Sequence, residues 1–177
     1  MPEVEIMRNY LMLLVLLIAV LCSGDLDAKE LVLTPARVEV IVSPADARDT
    51  RVVVYFELPE ELFGKGVVID GAVLMFEARV TDAQFGMVHI FPVTKEWQAA
   101  SSIGWDSPWE SLGGAYTTEI AGRSVTLKGA KGKGTVTSNV TFIVMDWIAG
   151  RLPNNGLVLV PSHEDIVDSS AGFVFDK

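Results

Sequence analysis

Residues 37–42 (RVEVIV) and 51–58 (RVVVYFEL) carry alternating, β-branched and aromatic side chains, the pattern of strands with at least one buried face. Pro44-Ala45-Asp46 supplies a turn between them, and Pro59-Glu60-Glu61-Leu62 suits a single helical turn. Residues 67–80 (VVIDGAVLMFEARV) form a long strand run broken at Gly71, where a bulge or bend is expected. The same style continues through 84–93 and 117–127. A Lys/Gly turn follows at 128–134, with short strands at 157–160 and 172–175. Only residues 141–150 (TFIVMDWIAG) differ. Their apolar positions 143, 144, 147 and 148 have helical spacing, with Asn139 or Thr141 to cap the start and Gly150 to end it. Many short strands with one short helix predict an all-β fold, an antiparallel β-sandwich. No internal repeat or low-complexity linker divides the chain, so one domain is expected over 29–177.

The N-terminus reads differently. Leu11 to Leu21 (LMLLVLLIAVL) is unbroken apolar sequence after Arg8 and before Ser23-Gly24-Asp25. Its length fits the roughly 7–15 residue core of a secretory signal and falls short of the ~20 needed to span a bilayer. Residues 1–28 are therefore expected to be a signal peptide, with Met7-Arg8 offering an alternative start to the acidic Met1–Ile6. The expected location is secreted or cell-surface, with no membrane attachment once the signal is cut. Cys22, the one cysteine, follows the large Leu21 rather than a small residue, so it belongs with the signal rather than a lipid anchor. A chain cut after it has no disulfide and no thiolate chemistry.

The formal net charge is −9, and removing residues 1–22 takes away only Arg8, Glu3 and Glu5. An acidic chain is a poor partner for nucleic acid, which is bound by neutralising phosphates with Lys and Arg.

Several stretches occur together in a set order. SNVTFIVMDWIAGRLPNNGLVLVPS resembles the late signature of DNRLRE-type domains, with Val140, Thr141, Val144, Trp147, Asn154, Asn155 and Gly156 in the matching places and Asn139 where Asp is usual. RVVVYFELP resembles the family's Arg-apolar-Phe-Asp-Leu strand, with Glu57 at the Asp position. VIDGAVLMFEA resembles the strand after it. VTKEW, ending at Trp97, and GWDSP at 104–108 are similar to its Val-Thr-x-x-Trp and Thr-Trp-x-x-Pro pieces, with Gly104 replacing Thr. The likeness spans residues 51 to 161. It implies a jelly-roll-like sandwich of exported and cell-surface proteins, some classed as carbohydrate-binding modules, and no catalytic residues. Family members usually end in a further strand near an Arg-Pro-x-Leu pattern, whereas this chain closes on SSAGFVFDK. Either 172–175 is that strand in reduced form, or the strand is absent and an edge is left for another chain.

Candidate ligand-binding residues sit in GWDSPWESLGGAY, residues 104–116, where Pro108 and Gly113-Gly114 exclude regular structure. Trp97, Trp105 and Trp147 match motif positions and are expected to pack. Trp109 and Tyr116 match none and lie among Asp106 and Glu110, a set suited to stacking on a sugar while carboxylates accept hydroxyl hydrogen bonds. His163 with Glu164, Asp165 and Asp168 offers carboxylates for a cation such as Ca2+, although without the spacing of a known loop a solvated acidic turn is the stronger reading, as it is for Asp46 and Asp49. No G-x-S-x-G or H-E-x-x-H is present, and GAKGKGT at 129–135 lacks the Gly-Lys-Ser/Thr step of a phosphate loop. Asn139-Val140-Thr141 is the one glycosylation sequon, and its residues are explained by the helix start. The expected protein is a non-catalytic module that binds carbohydrate or a cell-envelope polymer. The alternative is a structural or adhesive subunit that assembles through its sheet edges.

Overall fold

A computed structural model describes residues 15–22, 28–46, 49–80, 85–120, 125–128, 132–162 and 173–174. Among the described residues ten strands and one α-helix follow one another: β1 Val15–Cys22, β2 Ala28–Leu33, β3 Arg37–Val42, β4 Thr50–Tyr55, β5 Val67–Val80, β6 Phe85–Pro92, β7 Val125–Lys128, β8 Gly132–Asn139, α1 Thr141–Ile148, β9 Leu157–Ser162 and β10 Phe173–Val174. They build two five-stranded sheets, and every pairing is antiparallel. The first sheet runs β10-β5-β1-β2 with β8 on the other edge of β5; the second runs β3-β4-β9-β6-β7.

The two sheets share one apolar core. Ile69, Ala72, Leu74 and Phe76 of β5 and Val136 of β8 meet Val52 and Val54 of β4, Val88 and Ile90 of β6, and Leu157 and Leu159 of β9. Period-two burial is clean along β5, where Ala72, Leu74 and Phe76 are buried and Val73, Met75 and Glu77 are not. The register shift between Ala19 and Val20 leaves Asp70 as the extra residue of β5 beside Gly71, the bulge that Gly71 predicts.

β4 and β9 are apolar at consecutive positions because both faces of the second sheet are covered. Val52 and Val54 enter the core between the sheets, while Val53 joins a second cluster on the far side with Ile41, Val93, Trp97, Trp109 and Val158. Leu157, Val158 and Leu159 divide in the same way. The covering layer on that far side is the tryptophan-bearing segment.

Helix α1 buries Ile143, Val144 and Trp147 on one stripe and leaves Phe142 and Met145 outside. Its start differs from the expected cap. Val140 is the capping position and makes no side-chain cap, while the Thr141 hydroxyl accepts from the Ala72 N–H at 2.9 Å, joining the helix to β5. The Asn139 side-chain oxygen accepts from the Thr141 N–H at 3.1 Å, a local turn of the kind Asn favours. Gly150, in the left-handed region at φ 67°, ends the helix.

Val15–Cys22, most of the apolar run that reads as a signal core, is a strand between β2 and β5. An uncharged run of Leu, Val and Ile meets the demands of a signal core and of an inner strand equally well, so apolarity alone does not separate them. Strand β8 has no counterpart among the elements expected from sequence, where a turn occupies 128–134 and no strand is read between it and the helix at 141. Of the expected 117–127 strand, Val125–Lys128 is formed and 117–120 is not. No helix among the described residues is long and apolar enough to cross a membrane.

Candidate functional site

Residues 93–120 leave β6, cross the outer face of the second sheet and return to pair Tyr116 with Val93 in an isolated bridge. The segment lacks strand or helix because Pro108 and the paired glycines punctuate it, so its order must come from side chains. Trp97 is 1% exposed and donates its Nε1–H to the Asn155 carbonyl oxygen at 2.7 Å. Trp109 is 6% exposed and donates its Nε1–H to the Gly104 carbonyl oxygen at 2.7 Å. The two indoles lie 6.4 Å apart with planes inclined by 53°, a tilted pair of the kind packed rings favour.

Arg51 of β4 fastens the other half of the segment. Its guanidinium lies 4.5 Å from the centre of the Trp105 ring and 5.6 Å from that of Tyr116. It also donates to the Gly113 carbonyl oxygen at 2.7 Å and pairs with Asp49 at 3.4 Å. Only glycine fits at 113, which has φ 77° and where a Cβ would run into Arg51 and the Trp105 ring. Arg37 of β3 acts likewise at the near end. It lies 5.1 Å from the Trp97 ring centre and donates to the carbonyl oxygens of Gln98 at 2.8 Å and Ala100 at 2.7 Å.

The four residues expected to present a sugar platform are therefore divided. Trp109 is a buried plug rather than a presented ring. Tyr116 is half-buried, stacked on Phe91 at 5.1 Å with planes 15° apart, and already has Arg51 over it. Phe91 in turn stacks on His89 at 5.9 Å and 13°, which continues the row along β6. Asp106 and Glu110 do face solvent, and Glu110 pairs with Lys95 at 3.2 Å. An acceptor pair without an open ring beside it lacks the stacking half of a sugar site.

Asn154, Asn155 and Gly156 serve the same structure. The Asn154 side chain donates to the Phe56 carbonyl oxygen at 2.8 Å, and Asn155 presents its own carbonyl to Trp97. Gly156 has φ 86° and lies against β4, where a Cβ would strike the Val54 carbonyl oxygen. Sequence pattern places Arg51 in a strand and does not reveal its role as the clamp. An arginine at the head of an otherwise apolar strand is the available signal.

Glu164, Asp165, Asp168 and His163, the candidate cation ligands, lie outside the described residues. Among the described residues no group of three or more His, Cys, Asp or Glu side chains is placed to hold a metal ion. Asp49 is engaged by Arg51. A scan against family models finds no match for the chain, and a search of curated proteins finds none either.

Proposed function

We propose that the protein is an exported, non-catalytic β-sandwich subunit with jelly-roll-like connectivity that assembles through its sheet edges. The observation that carries this is the outer edge of β2. Among the described residues no strand pairs with it, and Val32 beside it is 56% exposed. An uncovered strand edge with an apolar neighbour is a template for another chain. The opposite edge strand in the second sheet, β3, is guarded by Arg37 and Glu39 and by the 98–100 loop that Arg37 holds.

Binding of a glycan or envelope polymer is the weaker reading because the rings that would stack on it are committed to packing. Sedimentation velocity over a hundredfold concentration range separates the two. Assembly predicts a concentration-dependent oligomer that Val32→Lys returns to monomer, because a charge on an edge strand opposes pairing. A strictly monomeric chain that is retained on a glycan array overturns the assembly reading.

A further inference from the structure

The two edges of β5 are filled differently. One is taken over Val73–Arg79 by a single strand, β8. The other is shared by two remote pieces: β1 pairs with Val67–Met75, and β10 pairs with Arg79 and Val80. Both pieces run antiparallel to β5, so they lie end to end in one lane and point the same way. β10 enters that lane at Val80 and points toward the start of β1. β1 is also the strand that links β2 to the sheet.

Cutting the chain between residues 23 and 29 would remove the middle strand and leave two edges facing each other. Their exposed backbone N–H and C=O groups would then need new partners. Their core-side residues are Ile69, Ala72 and Leu74 on β5, in the core, and Leu31 and Leu33 on β2, packed against it. On the opposite face, Leu21 is in register with Val68 and Leu17 with Val32, and the two valines are 54% and 56% exposed. The lining is apolar at these positions, with Glu30 and Lys29 of β2 opposite Ala19 and Val20 and Asp70 of β5 at the bulge, and its present occupant, VLLIAVLC, carries no charge.

We propose that this gap between β2 and the Val67–Met75 edge of β5 is a strand-acceptor slot. In the finished protein it takes an uncharged apolar strand from another polypeptide chain, running antiparallel to β5. The proposal rests on the export reading, since the slot opens only when residues before 23–29 are removed. It adds to the outer edge of β2 a second assembly contact, on the other side of that strand, with its own direction and chemistry.

The test uses the full chain with a protease site inserted into the 23–27 connection and cut after folding. The N-terminal fragment should remain bound through gel filtration. Displacing it in mild denaturant should lower the melting temperature on the order of 10 °C, as loss of several kcal/mol does in a domain this size. A labelled VLLIAVLC peptide with terminal lysines should then bind saturably, one per chain. The same peptide with Ile18→Pro should bind at least ~10-fold more weakly, since proline removes a ladder donor. Release of the fragment without a change in melting temperature, or equal binding of the proline peptide, overturns the slot. Intact mass of the exported protein is the separate arm. A mass that includes residues 1–22 overturns both the export reading and filling from another chain, whatever the peptide does.

Discussion

Trp97 Nε1 donates to the Asn155 carbonyl oxygen at 2.7 Å across 58 residues of sequence, tying the start of the covering segment to the turn that leads into β9. Both groups are buried, so neither can turn to water when the other is lost. Trp97→Phe keeps most of the ring volume and removes the donor. It should cost about 1–3 kcal/mol, the range for stranding a buried carbonyl. Trp97→Ala adds a cavity and should cost about 3–5 kcal/mol. Urea unfolding of the two variants checks the order.

Gly156 should tolerate no side chain. Its φ of 86° is in the left-handed region, and the space a methyl would take is held by the backbone of β4 at Val54. Because the obstacle is a strand rather than a flexible side chain, Gly156→Ala should destabilise by at least ~2 kcal/mol. Gly150 has a similar φ but open space around it, and Gly150→Ala should cost only about 1 kcal/mol. Thermal unfolding of the pair separates clash from conformation.

Much of this frame is legible in the amino-acid pattern. Runs rich in β-branched and aromatic residues predict β3, β4, β5 and β6, and the 143–144–147–148 spacing predicts α1, because such patterns report on which residues are buried. Strand β8 is not legible. GKGTVTSN carries two glycines in its first three residues and places threonine, serine and asparagine where strands usually carry larger residues, although Val136 and Ser138 are buried and Thr135, Thr137 and Asn139 exposed in strict alternation. The consecutive valines of β4 point to burial on two faces, but not to what covers the second. Nor can sequence tell a ring presented to solvent from one turned inward at Trp109. That choice is made by long-range partners, the sheet face beneath it and the Gly104 carbonyl that takes its N–H.

Arg51 should not be replaceable by lysine. The planar guanidinium lies over Trp105 and Tyr116 and at the same time donates to Gly113 and Asp49. An ammonium keeps the charge but neither the flat stacking surface nor the fixed fork of donors. Arg51→Lys should cost about 1–2 kcal/mol and should broaden the environment of the half-buried Trp105. Tryptophan fluorescence lifetimes alongside urea unfolding would register both effects.

Trp147 packs in the core at 3% exposure, and its indole Nε1–H is buried without an acceptor among the described residues. An unmade buried hydrogen bond costs about 1–3 kcal/mol, so removing the donor should partly offset the lost volume. Trp147→Phe should therefore be milder than Trp97→Phe, although both replace a buried tryptophan by the same ring. Trp147→Ala should still cost about 3–5 kcal/mol through the cavity. Equal losses for the two phenylalanine variants would show that Trp147 has found a partner.

The decisive residue for the loop is Trp109. A ring that served a ligand could be removed with little effect on folding, because exposed side chains contribute within about ±0.5 kcal/mol. Trp109 instead touches the far-side cluster of the second sheet and gives its N–H to Gly104. Trp109→Ala should thus destabilise by about 3–5 kcal/mol. At about 2–4 °C per kcal/mol for a domain of this size, its melting temperature should fall by roughly 6–20 °C. Asp106→Asn and Glu110→Gln, whose side chains face solvent, should leave the melting temperature within about 2 °C. If Trp109→Ala melts like the parent and loses retention on a glycan array, the ring is a platform after all and the sugar-binding reading displaces assembly. If it melts early while Asp106→Asn and Glu110→Gln do not, the two tryptophans of the loop are there to hold it down.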